Sequence, residues 1–161
     1  EDGVWVFDIN NEGNKALKTI SSRRLVPLHS FLVEELNLPG YVSKLKHEGE
    51  IRLFPELKKT DKTKYNSVVT AWFSNYKSRK MKIDDDKKTF HSFRHTFADH
   101  LKQKLIDNHI IKELMGHKDD DITSSRYGKR YAAQTLLNEG VSKLDWGLDL
   151  SHLTRSKFVV E

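Results

Sequence analysis

Two imidazoles, a guanidinium and a phenol stand in order in one short stretch of the chain. His91 and Arg94 lie in His91-Ser92-Phe93-Arg94-His95, His117 ends Leu114-Met115-Gly116-His117, and Tyr127 follows. Together they form a set for breaking a phosphodiester without a metal. An arginine grips the non-bridging oxygens of a phosphate with its planar fork. A histidine moves protons near neutral pH. A tyrosine hydroxyl can attack phosphorus and hold it as a covalent ester. Each residue alone has an ordinary explanation, since Tyr is amphipathic and needs only a partner for its hydroxyl. It is the ordered combination that points to this chemistry. Tyr131, four residues further on, is the alternative hydroxyl. His95 reads as structural.

A metal centre is the main chemical rival. His91 and His95 have the i, i+4 spacing of helical zinc ligands. Position 92 is Ser, however, where a zinc protease motif has its general-base Glu, and Arg94 would set a cation beside the ion. The chain contains no cysteine, which removes disulfides, thiolate ligands and Cys nucleophiles and suits a reducing compartment. No metal and no cofactor is expected.

These groups need elements to hold them. Phe93, Phe97 and Leu101 mark the buried face of a helix, and His91, Arg94 and His95 fall on an adjacent face. Asn108 is placed to cap the next helix. Gly116 suits the left-handed position just past its end, which would project His117 outward. A short helix is expected around Tyr127 and another over Tyr131 to Leu137. Ahead of these, Tyr65, Val68, Val69, Trp72, Phe73 and Tyr76 recur at the helical period, which predicts a helix with a core-facing stripe. Nearer the N-terminus, Val4 to Ile9 and Arg23 to Leu28 read as antiparallel strands, with Pro27 near the end of the second. Lys18 falls in their connecting region. Ser30 is placed to cap a short helix through Leu36, Pro39-Gly40 to break it, and Tyr41 to His47 to form another that stops before Gly49. Leu53-Phe54-Pro55 reads as a buried extended piece.

With 161 residues, 37% hydrophobic and 32% charged, the chain suits one soluble domain. No apolar run is long enough to cross a bilayer, and no signal peptide is visible. The net charge of +5 fits a polyanionic partner. Lys58, Lys59, Lys62 and Lys64, with the lysines from Lys77 to Lys82, gather ahead of His91 and Arg94, where a phosphate backbone could track them. Asp84 to Asp86 and Asp119 to Asp121 interrupt this basic stretch.

The chain resembles the catalytic domain of the tyrosine recombinases, the phage integrase family. His91-x-x-Arg94 is similar to its HxxR box and Leu114-Met115-Gly116-His117 to its LGH box. Tyr127, followed by Gly128-Lys129, stands where the family keeps its nucleophile. Lys18-Thr19, ahead of Arg23-Arg24-Leu25-Val26-Pro27-Leu28, resembles the hairpin that carries its catalytic lysine. The resemblance covers most of residues 3–135 and favours the integrases over type IB topoisomerases, which share the chemistry.

The resemblance implies an α+β fold, mostly α-helical, with a small antiparallel sheet near the N-terminus. It implies site-specific DNA cleavage and rejoining through a 3′-phosphotyrosyl intermediate. Tyr127 would be the nucleophile, Arg94 and His117 the phosphate donors, His91 a proton mover and Lys18 the acid for the departing 5′ oxygen. Double-stranded DNA is the implied partner, contacted by Lys58, Lys59, Lys62, Lys64 and Arg94, with a homotetramer on two duplexes. The setting would be the bacterial cytoplasm, with a prophage or mobile element as source. Residues 1–138 would form a partial catalytic domain and 139–161 a tail exchanged between protomers. The family also places a first arginine in an Arg-x-x-Glu helix ahead of the sheet, and these residues hold no counterpart. A domain trimmed at that helix would account for this, and these residues alone are then expected to cleave DNA poorly or not at all; the other expectation is a non-catalytic DNA-binding or assembly fragment. Target sequence, direction of reaction and accessory proteins are not legible.

Overall fold

The computed structural model describes residues 1–13, 15, 17, 19, 22–57, 65–117 and 130–160. Strand β1 (Val6–Ile9) pairs antiparallel with β2 (Arg24–Pro27), in the register Val6 with Pro27 and Ile9 with Arg24. Pro27 ends its strand, where its missing N–H costs least, and Leu28 N–H carries the pairing on to Trp5 O at 2.9 Å. The turn after β1 is organised by Asn10, which is only 5% exposed. Its Nδ2 donates to Asp8 Oδ2 at 2.8 Å, and its Oδ1 accepts from Glu12 N–H at 3.1 Å and from Lys15 Nζ at 3.0 Å.

Local capping departs from the sequence expectation in three places. Phe31–Glu35 is a single π-helical turn that Ser30 does not cap. Ser30 is itself helical, at φ −50° and ψ −40°, whereas a capping serine needs an extended backbone to swing its hydroxyl onto the next turn. His29 Nδ1 accepts the Phe31 N–H instead, at 3.2 Å. Helix α1 (Leu38–His47) starts ahead of Pro39-Gly40 rather than after it. Proline in a first turn loses no helical hydrogen bond. Asn37 Oδ1 accepts the Gly40 N–H at 3.1 Å, and a Cβ on Gly40 would stand 2.5 Å from Asn37 Nδ2, so glycine is what lets the cap close. Helix α4 (Asn108–Met115) is capped by Asp107, whose Oδ1 accepts the His109 N–H at 2.8 Å, one residue earlier than Asn108.

The chain divides into two compact units, one of Glu1–Tyr41 with Ala98–Glu161 and one of Val42–Phe97. The first holds the main core. Helix α3 (Ser92–Gln103) gives it Leu101, which is fully buried. Helix α4 gives Ile110, Ile111, Leu114 and Met115, and α5 (Ala133–Glu139) gives Ala133 and Leu136. Strand β2 packs on both α4 and α5, and Val4, Leu28, Tyr41 and Val141 join the apolar set. Gly140 follows α5 where a Cβ would meet Leu136 O at 2.7 Å and Leu114 Cδ1 at 2.9 Å, so the helix ends pack almost backbone to side chain. The tail runs through 3₁₀ turns at Val141–Lys143 and Ser151–Arg155. It rests on its own unit: Trp146 lies 4.3 Å from the His100 ring, Phe158 meets Tyr41 edge-on at 6.0 Å, and Asn37 Nδ2 donates to Val160 O at 2.8 Å.

The second unit is less buried than its sequence promises. Helix α2 (Tyr65–Arg79) forms where the periodicity places it, but Val68, Trp72 and Tyr76 of its stripe are exposed rather than core. Trp72 is 58% and Tyr76 44% exposed, and the two rings stack on one another at 5.2 Å. Phe73, Phe90 and Phe93 make a second aromatic cluster, and Phe93, expected in the core, is 59% exposed. Trp72, Phe73 and Tyr76, with Phe90 and Phe93, line an open groove of about 600 Å³. Phe54, also expected inside, is 49% exposed, because Pro55 turns the chain there and Leu57 N–H closes the turn on Phe54 O at 3.1 Å.

About half helical among the described residues, with a two-stranded antiparallel sheet near the N-terminus, the fold is of the expected α+β class. Among the described residues no helix is long and apolar enough to cross a membrane.

Candidate active site

His91 stands immediately before α3, and the first turn of the helix carries Arg94 and His95. Ser92 builds this turn: its Oγ accepts the Thr89 N–H at 3.0 Å and donates to Lys87 O at 3.3 Å, while its own N–H returns to Thr89 O at 3.0 Å. This reciprocal bonding is what a serine supplies at position 92. Arg94 N–H bonds His91 O at 3.0 Å, which draws His91 into the helix entrance. The His91 and His95 rings then meet edge-on, 5.0 Å apart at 81°. Both imidazoles are exposed and Arg94 is half-buried. The N–H groups of Ser92, Phe93 and Arg94 are already bonded to Thr89 O, Phe90 O and His91 O, so a phosphate at this turn would be favoured by the positive end of the helix and by the side chains.

His117 belongs to the other end of a different helix. Gly116 closes α4 in the left-handed conformation, φ 65° and ψ 35°, as the sequence predicts. Its N–H reaches Glu113 O and Lys112 O, and His117 N–H bonds Lys112 O at 2.9 Å. Two orphan carbonyls are thereby satisfied, and the exposed His117 leaves the helix end. Arg24, from β2, lies against the same turn, its Nε–H donating to Leu114 O at 3.0 Å.

Glu113, half-buried on α4, accepts the Tyr131 N–H through Oε2 at 3.3 Å. Burial pushes its carboxyl above the usual carboxylate range, opposed by that N–H and by the Arg130 guanidinium. The chain that leaves α4 at His117 is thus bonded back to α4 at Tyr131. Tyr131, expected to open a helix, precedes α5, whose first residue is Ala133.

The structure brings His91, Arg94 and His95 together in the unit Val42–Phe97, and places His117 in the unit of Glu1–Tyr41 with Ala98–Glu161. Lys18, Tyr127, Lys58, Lys59, Lys62 and Lys64 lie outside the described residues. Lys15, the neighbouring lysine, is bonded to Asn10. Among the described residues no group of three or more His, Cys, Asp or Glu could hold a metal ion. Sequence reasoning missed Arg24 and Glu113. Only Glu113 left a signal, an acid set among the apolar residues from Ile110 to Met115.

Compared with known proteins, the chain finds no match among curated proteins or solved structures. Residues 4–134 match the model of the phage integrase family, a stretch that runs from β1 into α5 and takes in Lys18, His91, Arg94, His117 and Tyr127. The chain therefore belongs to the phage integrase family, the tyrosine recombinase catalytic domain, whose work is site-specific recombination of DNA.

Proposed function

We propose that this chain cuts and rejoins DNA through a 3′-phosphotyrosyl intermediate. The observation that carries the reading is the family match over residues 4–134, which includes all five candidate positions. Tyr127 attacks the scissile phosphorus, forming a Tyr Oη–P bond as the P–O5′ bond breaks. His91 assists the proton leaving the phenol. Lys18 protonates the departing 5′ oxygen, a task that needs a lysine whose pKa is lowered by nearby cations or burial. Arg94 and His117 donate to the phosphate oxygens where charge develops. One phosphoester is exchanged for another, so religation needs no nucleotide cofactor.

Double-stranded DNA is the substrate, with Lys58, Lys59, Lys62, Lys64 and Arg94 on its backbone. We further propose that residues 1–138 act as the catalytic part and that 139–161 passes to a neighbouring protomer in a tetramer on DNA. The setting is the bacterial cytoplasm, on a prophage or other mobile element. A nicked suicide substrate tests the reaction in the protein that carries this chain. Covalent adducts should form and vanish in Tyr127→Phe. Adducts that persist in Tyr127→Phe, or vanish only in Tyr131→Phe, would overturn the assignment. Binding with no adduct at all would favour a non-catalytic DNA-binding role.

A further inference from the structure

Arg24 opens β2 and spends its fork on backbone. Its Nε–H donates to Leu114 O at 3.0 Å and its Nη1–H to Ser22 O at 2.8 Å. The first acceptor is one of the last carbonyls of α4, groups that have no partner within their own helix. A cation there also suits the negative end of the helix. The guanidinium is pressed onto the following turn as well. A Cβ on Gly116 would stand 2.6 Å from Arg24 Nη1 and 3.1 Å from its Cδ and Cζ. Gly116 thus serves two needs, a left-handed backbone and room for this side chain.

Helix α4 does not need Arg24 to stay in place. Ile110, Ile111, Leu114 and Met115 already bury its inner face. What the guanidinium adds lies at the turn beyond them, from which His117 projects. A lysine could not replace it: an ammonium is a point charge on a flexible stem, while the guanidinium fork holds two carbonyls in one plane.

Resting on the reading of His117 as a donor to the scissile phosphate, we propose that Arg24 is a positioning residue for strand cleavage. It locks the Gly116–His117 turn to strand β2 and so holds the His117 imidazole in one orientation. It does so through the two N–H groups bonded to Leu114 O and Ser22 O, so losing this fork should leave DNA affinity nearly unchanged.

The test is Arg24→Lys in the protein that carries this chain, followed under single turnover on a nicked suicide substrate. Adduct formation should slow by about tenfold to a hundredfold, the scale expected for a misplaced catalytic group. DNA affinity should hold within about threefold, and Arg24→Lys should add no further loss in a His117→Ala background, because the two act as one unit. Losses that multiply in the double variant, or a parallel fall in DNA affinity, would overturn the proposal. A second arm needs no catalysis: the ¹H–¹⁵N ring correlations of His117 in the labelled chain. They should shift in Arg24→Lys, and also in Gly116→Ala, which pushes the guanidinium off the turn. An unmoved His117 signal in both variants would refute the positioning role. Loss of adducts in Tyr127→Phe bears only on the nucleophile, so failure of that reading and of this one are told apart.

Discussion

Glu113 Oε2 accepts the Tyr131 N–H at 3.3 Å, although 18 residues separate them. The bond makes α4 hold both sides of the segment between His117 and Arg130, the segment whose sequence carries Tyr127. The acid sits on the helix that Gly116 ends, so the turn presenting His117 and the return of the chain share one support.

The charge of Glu113 sets a pH dependence. Burial raises its carboxyl above the ordinary 4.5, so the folded chain holds a proton that the unfolded chain has released. Folding stability from this group is therefore greatest at low pH and declines as pH rises from 4.5 through the raised folded value. Glu113→Gln keeps an oxygen for the Tyr131 N–H and removes the charge. The melting temperature of the variant, relative to the parent, should rise between about pH 4 and pH 7. A difference that is flat with pH would show that Glu113 does not titrate differently on folding.

Gly116→Ala should destabilise the fold by about 1 to 3 kcal/mol, combining a left-handed non-glycine residue with the contact to Arg24. In an Arg24→Ala background the same change should cost measurably less, because the colliding atoms at 2.6 Å and 3.1 Å are gone. Denaturant unfolding of the four proteins gives the coupling directly. Identical costs in the two backgrounds would place the whole penalty in the backbone.

Leu101→Ala should cost about 2 to 5 kcal/mol, as expected for emptying a fully buried site. Phe93→Ala, on the same helix but 59% exposed, should cost far less. The ordering of the two midpoints in urea checks which end of α3 enters a core.

That contrast marks how far the sequence could be read. The residues read as its two ends bracketed α4, while periodicity placed α2 and α3 because one apolar face at the helical period is a local property. It could not say what covers the face. Trp72 and Tyr76 satisfy the stripe of α2 and still stack on each other in the open. Gly116 was legible because a left-handed helix end nearly demands glycine. His29 and Asn37 were not, because capping depends on which residue first leaves helical dihedrals, and that shifts by one position at little cost. Arg24 was the least legible. Its acceptor, Leu114 O, lies 90 residues away and is a backbone atom that any residue would have supplied. The order of His91, Arg94 and His117 carried the family resemblance, while the hydrogen bonds of Ser92 to Thr89 and Lys87 and of Glu113 to Tyr131 had no motif to announce them.

The tail separates two roles that truncation can tell apart. Val141 is buried with the core, whereas Trp146 and Leu148 are exposed by 41% and 68%. The tail beyond Lys143 touches its own unit through the ring of His100, the ring of Tyr41 and the amide of Asn37. Such contacts are replaceable: a neighbouring protomer's tail could make them equally well, which is what an exchange between subunits requires. Ending the chain after Lys143 keeps Val141 in place and removes every one of these contacts. The monomer should remain folded, with a loss of about 1 to 2 kcal/mol for the half-buried aromatics. Assembly into higher complexes on DNA, followed by sedimentation, should fall much more steeply than stability. Ending it after Leu137 also removes Val141, so that cut should damage the fold itself. If the cut after Lys143 already unfolds the monomer, the tail belongs to its own core and the exchange between protomers is wrong.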